Sequence, residues 1–376
     1  MTLKVMTIVG TRPELIKLSR VIAELDTQMR QVLVHTGQNF DYELNEVFFE
    51  ELAIRRPDAY LGAAGENAAQ TIAAIIARVD EVLAKEQPDA VLLYGDTNSC
   101  LSVIPAKRRR IPVFHMEAGN RCFDDRVPEE INRRLVDHLS DINMPLTEHA
   151  RRYLLAEGLP ADRIIKTGST MFEVLEHYRP AVEASAVLSK LGLEPRKYLL
   201  ASAHREENVD EPARLAQLLE SFKGAVDEFA MPLVVSTHPR TRKRLEEAGL
   251  SADPRIRFLK PFGLPDYVRL QREACCVLSD SGTLSEEASL LGFAAVMLRE
   301  AHERPEGIEH GAMVMAGLGR QRVLEAVSLA VAQRQPDSRP LEPIADYRAP
   351  AVSKKVARII LGYTDYVNRR VWHKQP

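Results

Sequence analysis

Charged residues stand directly behind short apolar runs at several points in this chain. The first such run, Leu3–Val9, is followed by Gly10-Thr11-Arg12-Pro13-Glu14 and then Lys17. Gly10 suits a tight turn and Pro13 suits the first turn of a helix. Arg12 and Lys17 would then aim two cations at whatever sits at that helix N-terminus, which is anion-binding chemistry. Ala90–Tyr94 precedes Gly95-Asp96-Thr97-Asn98, and Val113–Met116 precedes Glu117-Ala118-Gly119-Asn120-Arg121. Pro128-Glu129-Glu130 opens a further helix. Acids in a first helical turn are common dipole partners, so Glu129 or Glu130 alone carries little weight. Three carboxylate sites that share a crevice with Arg12 and Lys17 carry more.

Later in the chain, Ser202-Ala203-His204-Arg205 follows a run directly and makes His204 a candidate phosphate donor or general acid. Asp280-Ser281-Gly282-Thr283 ends another run and opens a helix, offering backbone N–H groups and hydroxyls to a phosphate. Glu287, about one turn inside, is placed to accept ribose hydroxyls. Thr283 with Glu286 also has the spacing of a capping box. His115 and Glu117 alternate along one strand, but no third ligand is in register. No metal is therefore expected, and His115 reads as a satisfied, partly buried histidine.

The elements that must position these residues come in two sets. Strands over Leu3–Val9, Val32–Val34, Ala90–Tyr94 and Val113–Met116 alternate with helices after Pro13 and over Ala68–Leu83. The first helix carries an apolar face of Leu15, Ile16, Leu18, Val21, Ile22 and Leu25. The rhythm restarts at Tyr198–Ser202 and continues through Leu233–Ser236, Ile256–Leu259, Cys276–Ser279 and Ala294–Leu298. Helices over Leu215–Phe229, Arg240–Ala248, Asp266–Ala274 and Thr283–Leu291 separate these runs. Leu191–Lys197 reads as a hinge, and a helix over Ser353–Trp372 follows a Pro-rich link at Pro336–Pro350. This βα alternation predicts an α/β chain of two Rossmann-like domains, not one barrel.

A length of 376 residues, 45% hydrophobic and 27% charged, fits a two-domain globular chain. Fifty basic against fifty-three acidic side chains give a formal charge of −3, which argues against nucleic acid and against a polybasic membrane anchor. Four cysteines without C-x-x-C spacing indicate neither a zinc ribbon nor a disulfide framework. No signal peptide or membrane-length apolar stretch is read, so the expected location is cytoplasmic. The absence of G-x-G-x-x-G, of G-x-x-x-x-G-K-[ST] and of a Tyr-x-x-x-Lys pair disfavours a nicotinamide-dependent sugar epimerase and a P-loop enzyme.

Taken in order, these blocks resemble the non-hydrolysing UDP-N-acetylglucosamine 2-epimerase family. They include Pro128-Glu129-Glu130 with Asn132-Arg133, Glu286-Glu287, and Glu303-Arg304-Pro305-Glu306-Gly307, and together they run from residue 10 to about 310. The resemblance implies a GT-B-like fold with two Rossmann-like domains, residues 1–175 and 176–350, facing a cleft. The C-terminal helix, 353–372, would pack back on the first domain, and the assembly would be a homodimer. It implies Asp96, Glu117, Glu129 and His204 as the catalytic set. Arg12, Lys17, Arg133, Ser281, Gly282 and Glu287 would hold UDP, with Tyr267 stacking on uracil and Arg304 a further diphosphate contact.

The reaction so implied expels UDP from C1 as a carboxylate takes the C2 proton, giving a 2-acetamidoglucal to which UDP re-adds. Carboxylates suit its oxocarbenium-like transition state, and no cofactor is required. Asn120, the shortened Cys122–Val127 segment and Thr283-Leu284-Ser285 depart from the better-known members. His204-Arg205-Glu206-Glu207-Asn208-Val209 and Glu117-Ala118-Gly119-Asn120-Arg121-Cys122-Phe123-Asp124 resemble a branch acting on other UDP-2-acetamido sugars, UDP-N-acetyl-L-fucosamine or a UDP-2,3-diacetamido uronic acid. Gln38-Asn39 stands where members activated by a second substrate molecule carry Gln-His. A GT-B glycosyltransferase, a hydrolysing epimerase and a UDP-sugar-binding module remain the competing readings.

Overall fold

The computed structural model describes residues 2–38, 49, 51–247, 253–334 and 342–374. Asn39 of the Gln38-Asn39 pair, Ala248 and the Pro336 end of the Pro-rich link lie outside the described residues. The chain divides into two compact units, one of residues 1–175 with 345–376 and the other of residues 176–344.

The first unit contains one sheet built from β1 (Lys4–Val9), β2 (Arg30–His35), β3 (Ala59–Tyr60), β4 (Ala90–Tyr94), β5 (Val113–Met116) and β6 (Ile142–Met144), in the order β3-β2-β1-β4-β5-β6. Every pairing in it is parallel. Parallel strands need both faces covered, which explains the nearly unbroken apolar runs in β1 and β4. Met6, Ile8, Val91, Leu93 and Val113 pack on one face with Ile75, Val79 and Leu83 of helix α2 (Ala68–Glu86). Asn67 starts α2 by accepting the Gln70 N–H at 2.9 Å, and Gln87 ends it in the left-handed conformation. Helix α1 (Arg12–Gln28) buries Leu15, Leu18, Val21, Ile22 and Leu25. Helix α3 (Pro128–Leu139) lies between β5 and β6 in sequence.

The second unit repeats the scheme with β7 (Leu199–Ser202), β8 (Leu233–Ser236), β9 (Ile256–Leu259), β10 (Cys276–Ser279), β11 (Ala295–Met297) and β12 (Val314–Met315), ordered β12-β11-β10-β7-β8-β9. Alternate residues feed two cores. Leu199, Ala201, Cys276 and Leu278 join Phe222 and Val226 on one side, and Leu200, Val234 and Val277 join Leu270 and Leu284 on the other. Both sheets therefore have the Rossmann strand order. Chain direction switches between β1 and β4 in one and between β7 and β10 in the other, and loops beyond such a switch point are where ligands bind.

Some boundaries differ from the sequence reading. Leu191–Lys197 does not separate the units: it lies inside the second, with Leu193 buried in its core. The division falls between residues 175 and 176, within helix α4 (Met171–Ala184), and residues 345–350 lie with the first unit. The C-terminal helix, α5 (Val352–Arg370), belongs to the first unit and packs on α1. No described helix is long and apolar enough to cross a membrane.

Candidate active site

In the first unit Lys17 meets Glu117 and Arg133 meets Asp96 at the ends of β4 and β5. Glu117 follows β5 with φ at 63°, a left-handed conformation that costs a non-glycine residue about 1–3 kcal/mol and clusters at functional sites. Its Oε2 accepts from Lys17 Nζ at 2.5 Å and from Tyr94 Oη at 2.8 Å. The Lys17 ammonium also lies 5.4 Å from the centre of the Tyr94 ring. Gly95 adopts the left-handed conformation, with φ at 68°, which favours glycine, and a Cβ there would be in ordinary contact with Glu117 Oε1 at 3.7 Å. Asp96, the next residue, accepts from Arg133 Nε at 3.0 Å and Nη2 at 2.7 Å, both at Oδ2. Asn132 of the same helix donates to the Asp96 carbonyl at 2.9 Å, so α3 fixes both the backbone and the side chain of Asp96.

Glu129 is half-buried in the first turn of α3. Its neighbour Glu130 is fully buried and organises the loop before the helix, accepting from the N–H groups of Cys122 at 3.0 Å and Phe123 at 3.2 Å and from Arg133 at 2.9 Å. Arg12 is half-buried at the start of α1.

Gly10 serves close approach more than a turn: a Cβ there would meet Thr36 Oγ1 at 2.3 Å. Glu14 was legible only as part of the block, yet it ties the first loop together. It accepts from Gly10 N at 2.6 Å, Ser99 Oγ at 2.9 Å and Thr97 Oγ1. Burial raises its pKa to about 7 against the pull of these donors. An acid whose pKa is higher folded than unfolded stabilises the fold below its unfolded value, and that contribution is lost as pH rises through the folded value. Relative to a Glu14→Gln variant, the wild type is therefore expected to lose about 3 kcal/mol of stability between pH 4.5 and pH 7. Urea melts of both proteins across that window check this, and a pH-independent difference would refute it.

In the second unit Asp280, completely buried after β10, is the organising group. It accepts from the backbone N–H of His204 at 3.0 Å, that of Arg205 at 3.0 Å and Asn208 Nδ2 at 3.1 Å. His204 Nδ1 lies 3.3 Å from Asp280 Oδ1. Desolvation lowers the His204 pKa, with Asp280 opposing and Arg205 and Arg299 adding to the depression. The ring is thus neutral at neutral pH, with its hydrogen on Nδ1 toward Asp280 and an accepting Nε2.

Ser281 Oγ lies 3.0 Å from Thr283 Oγ1. A Cβ on Gly282 would meet Glu303 Oε1 at 2.2 Å, so a larger residue there would displace the Glu303 carboxylate. The capping box does not form: Thr283 makes no side-chain cap bond, and Glu286 pairs with Arg304 at 2.9 Å. Glu287 accepts from Gln271 Nε2 at 2.6 Å. Tyr267, in the helix Leu264–Glu273, packs partly buried against the core.

Each predicted residue thus sits at a strand end or on a helix bordering one. Lys17, Arg133 and Arg304, expected against a diphosphate, are engaged by Glu117, Asp96 with Glu130, and Glu286. The reading missed Tyr94, Glu14, Asn208, Gln271 and the Glu130 role. Tyr94 ends an apolar strand, and its position alternate to Leu92 was the available signal. Among the described residues no group of His, Cys, Asp and Glu is arranged to hold a metal.

The family model for UDP-N-acetylglucosamine 2-epimerase matches residues 23–361. A UDP-N-acetylglucosamine 2-epimerase of Methanocaldococcus jannaschii is 34% identical over 343 residues, 89% of this chain and 93% of the relative. A UDP-2,3-diacetamido-2,3-dideoxy-D-glucuronate 2-epimerase of Pseudomonas aeruginosa is 36% identical over 331 residues, covering 86% and 91%. Among solved structures, a UDP-N-acetylglucosamine 2-epimerase from Rickettsia bellii superposes with a TM-score of 0.93 at 54% identity, covering all of both chains. The M. jannaschii enzyme in complex with UDP-GlcNAc and UDP gives 0.89 at 31% identity, over 96% and 100% of the chains. The α/β fold with two parallel sheets is thus GT-B-like.

Proposed function

The chain belongs to the UDP-N-acetylglucosamine 2-epimerase family, a family of isomerases, and on that premise we propose that it interconverts UDP-N-acetylglucosamine and UDP-N-acetylmannosamine without hydrolysis. The observation that carries this reading is the pair Glu117 and Asp96, each held at a strand end by its own cation.

The C2 proton is not adjacent to a carbonyl, so it leaves together with UDP. The C1–O bond breaks, its electron pair goes to the diphosphate, and the C2 proton passes to a carboxylate. Re-addition of UDP with protonation at the opposite face of C2 gives the epimer, and electrons balance without a redox partner. Asp96, Glu117, Glu129 and His204 form the acid–base set in this reading. Lys17 and Arg133 keep Glu117 and Asp96 ionised, as a neighbouring cation favours the charged form. Arg12, Ser281 and Gly282 address the diphosphate, Glu287 the ribose, Tyr267 the uracil, and Arg304 supports the phosphate loop through Glu286. The protein acts in the cytoplasm as a homodimer, which light scattering on the purified protein tests.

A second reading, 2-epimerisation of a UDP-2,3-diacetamido uronic acid, draws on the 36% identity to the P. aeruginosa enzyme and on Asn120 after Glu-Ala-Gly. Proton NMR in heavy water with UDP-N-acetylglucosamine and no added cofactor decides. The expected result is a 2-epimer deuterated at C2 with UDP attached. Turnover of the diacetamido uronate alone would move the assignment to the second reading, and free UDP accumulating with open sugar would sink both.

A further inference from the structure

His115 lies outside the acid–base set, yet it connects the loops that carry two of its members, Asp96 and Glu117. It is buried in β5 at 1% exposure, with Nε2 2.8 Å from the Gly95 carbonyl oxygen and Nδ1 2.9 Å from Asp137 Oδ1. The other Asp137 oxygen accepts from the Gly119 N–H at 3.1 Å and from Arg121 Nη1 at 2.6 Å. Arg121, also fully buried, forms a two-pronged pair with Glu157, 2.7 Å at each contact, and Glu157 in turn meets His138 at 2.9 Å. Asn143, paired across the sheet with His115, donates to the Asp137 carbonyl at 2.9 Å.

A carbonyl oxygen only accepts, so at Nε2 the ring donates to Gly95. Asp137, which already accepts from a guanidinium and a backbone N–H, closes the other side of the ring. His35 shows the contrasting arrangement in the same sheet: its Nδ1 accepts from Gly37 N at 3.1 Å, and burial lowers its pKa to about 4.

We infer that His115 is a positioning residue, clamping the Gly95-Asp96 loop by Nε2 and the Glu117-Ala118-Gly119 loop through Asp137. Gly95, with φ at 68°, adjoins Asp96, and Gly119, with φ at 84°, lies two residues beyond Glu117. A single ring thus sets the spacing of the two carboxylates. The functional weight of this clamp rests on the reading of Asp96 and Glu117 given above.

Nitrogen-15 NMR on histidine-labelled protein tests the clamp directly. A hydrogen on the His115 ring nitrogen that faces the Gly95 carbonyl is expected, and a bare nitrogen there would overturn the inference. Its signal is assigned by loss in His115→Gln or, should that variant not fold, by backbone assignment. In His115→Gln, kcat is expected to fall roughly a hundredfold, as for a small misplacement of reacting groups, with KM within about threefold. The Gly95 and Gly119 amide signals should shift together. Unmoved amides, or an unchanged kcat, would also overturn it. The ring and amide signals are read without substrate, so they stand or fall separately from the proposed reaction.

Discussion

Glu117→Gln is expected to lower kcat on the order of a thousandfold while UDP binds nearly as before. Glutamine keeps the size of the side chain and still accepts from Lys17 and Tyr94, so the loop should hold its shape. What it loses is the capacity to take a proton. Lys17 also loses its counter-charge, leaving a nearly buried ammonium against a neutral amide. Deuterium incorporation at C2 should fall in parallel with epimerisation, because one proton transfer underlies both. Steady-state kinetics with calorimetric UDP titration separate the outcomes. A variant with near-normal turnover would remove Glu117 from the acid–base set, and one with lost UDP affinity would recast it as a binding residue.

Asp280→Ala should have the largest effect in the second unit. It strips the acceptor from two backbone N–H groups and the Asn208 amide, all in a loop bordering β7 and β10. Each buried donor left unsatisfied costs about 1–3 kcal/mol, so a destabilisation of roughly 4 kcal/mol is expected. Asn208 is also fully buried and bonds the Leu298 carbonyl at 2.9 Å, so the disturbance should reach the end of β11. Asp280→Asn keeps one acceptor oxygen and should recover part of the loss. Urea unfolding followed by tryptophan-independent far-UV signal checks the pair. Equal midpoints for wild type and Asp280→Ala would show that water or relaxation replaces the carboxylate.

Both sheets were readable because each strand buried on two faces writes itself as an unbroken apolar run. Ala90–Tyr94 and Val113–Met116 appear in the structure with the boundaries read from sequence. The edge strands β3, β6 and β12, of two or three residues, escaped because so short a run has no pattern. Candidate groups were legible because strand-end loops concentrate them: Asp96, Glu117, His204 and Ser281 follow strands directly. Their partners were not legible, since Lys17 reaches Glu117 across 100 residues and Arg133 reaches Asp96 across 37. Nothing local encodes such pairings. The capping box failed for a local reason: Thr283 already has helical backbone angles, so its hydroxyl cannot turn back as an N-cap and meets Ser281 instead.

The first unit is discontinuous in sequence, and this orders its birth on the ribosome. Residues 1–175 emerge before the second unit, but the helix Val352–Arg370 that covers α1 emerges after it. Val356, Ile360 and Val367, all fully buried in the finished unit, have no counterpart until then. The nascent first unit must therefore wait with an apolar flank of α1 uncovered while 169 further residues, 176–344, are translated and can fold. At elongation rates of about 5–20 residues per second, that interval lasts on the order of ten to thirty seconds. It is a window in which a holding chaperone has a defined surface to occupy, and whose closing coincides with the arrival of Ser353 at Glu173.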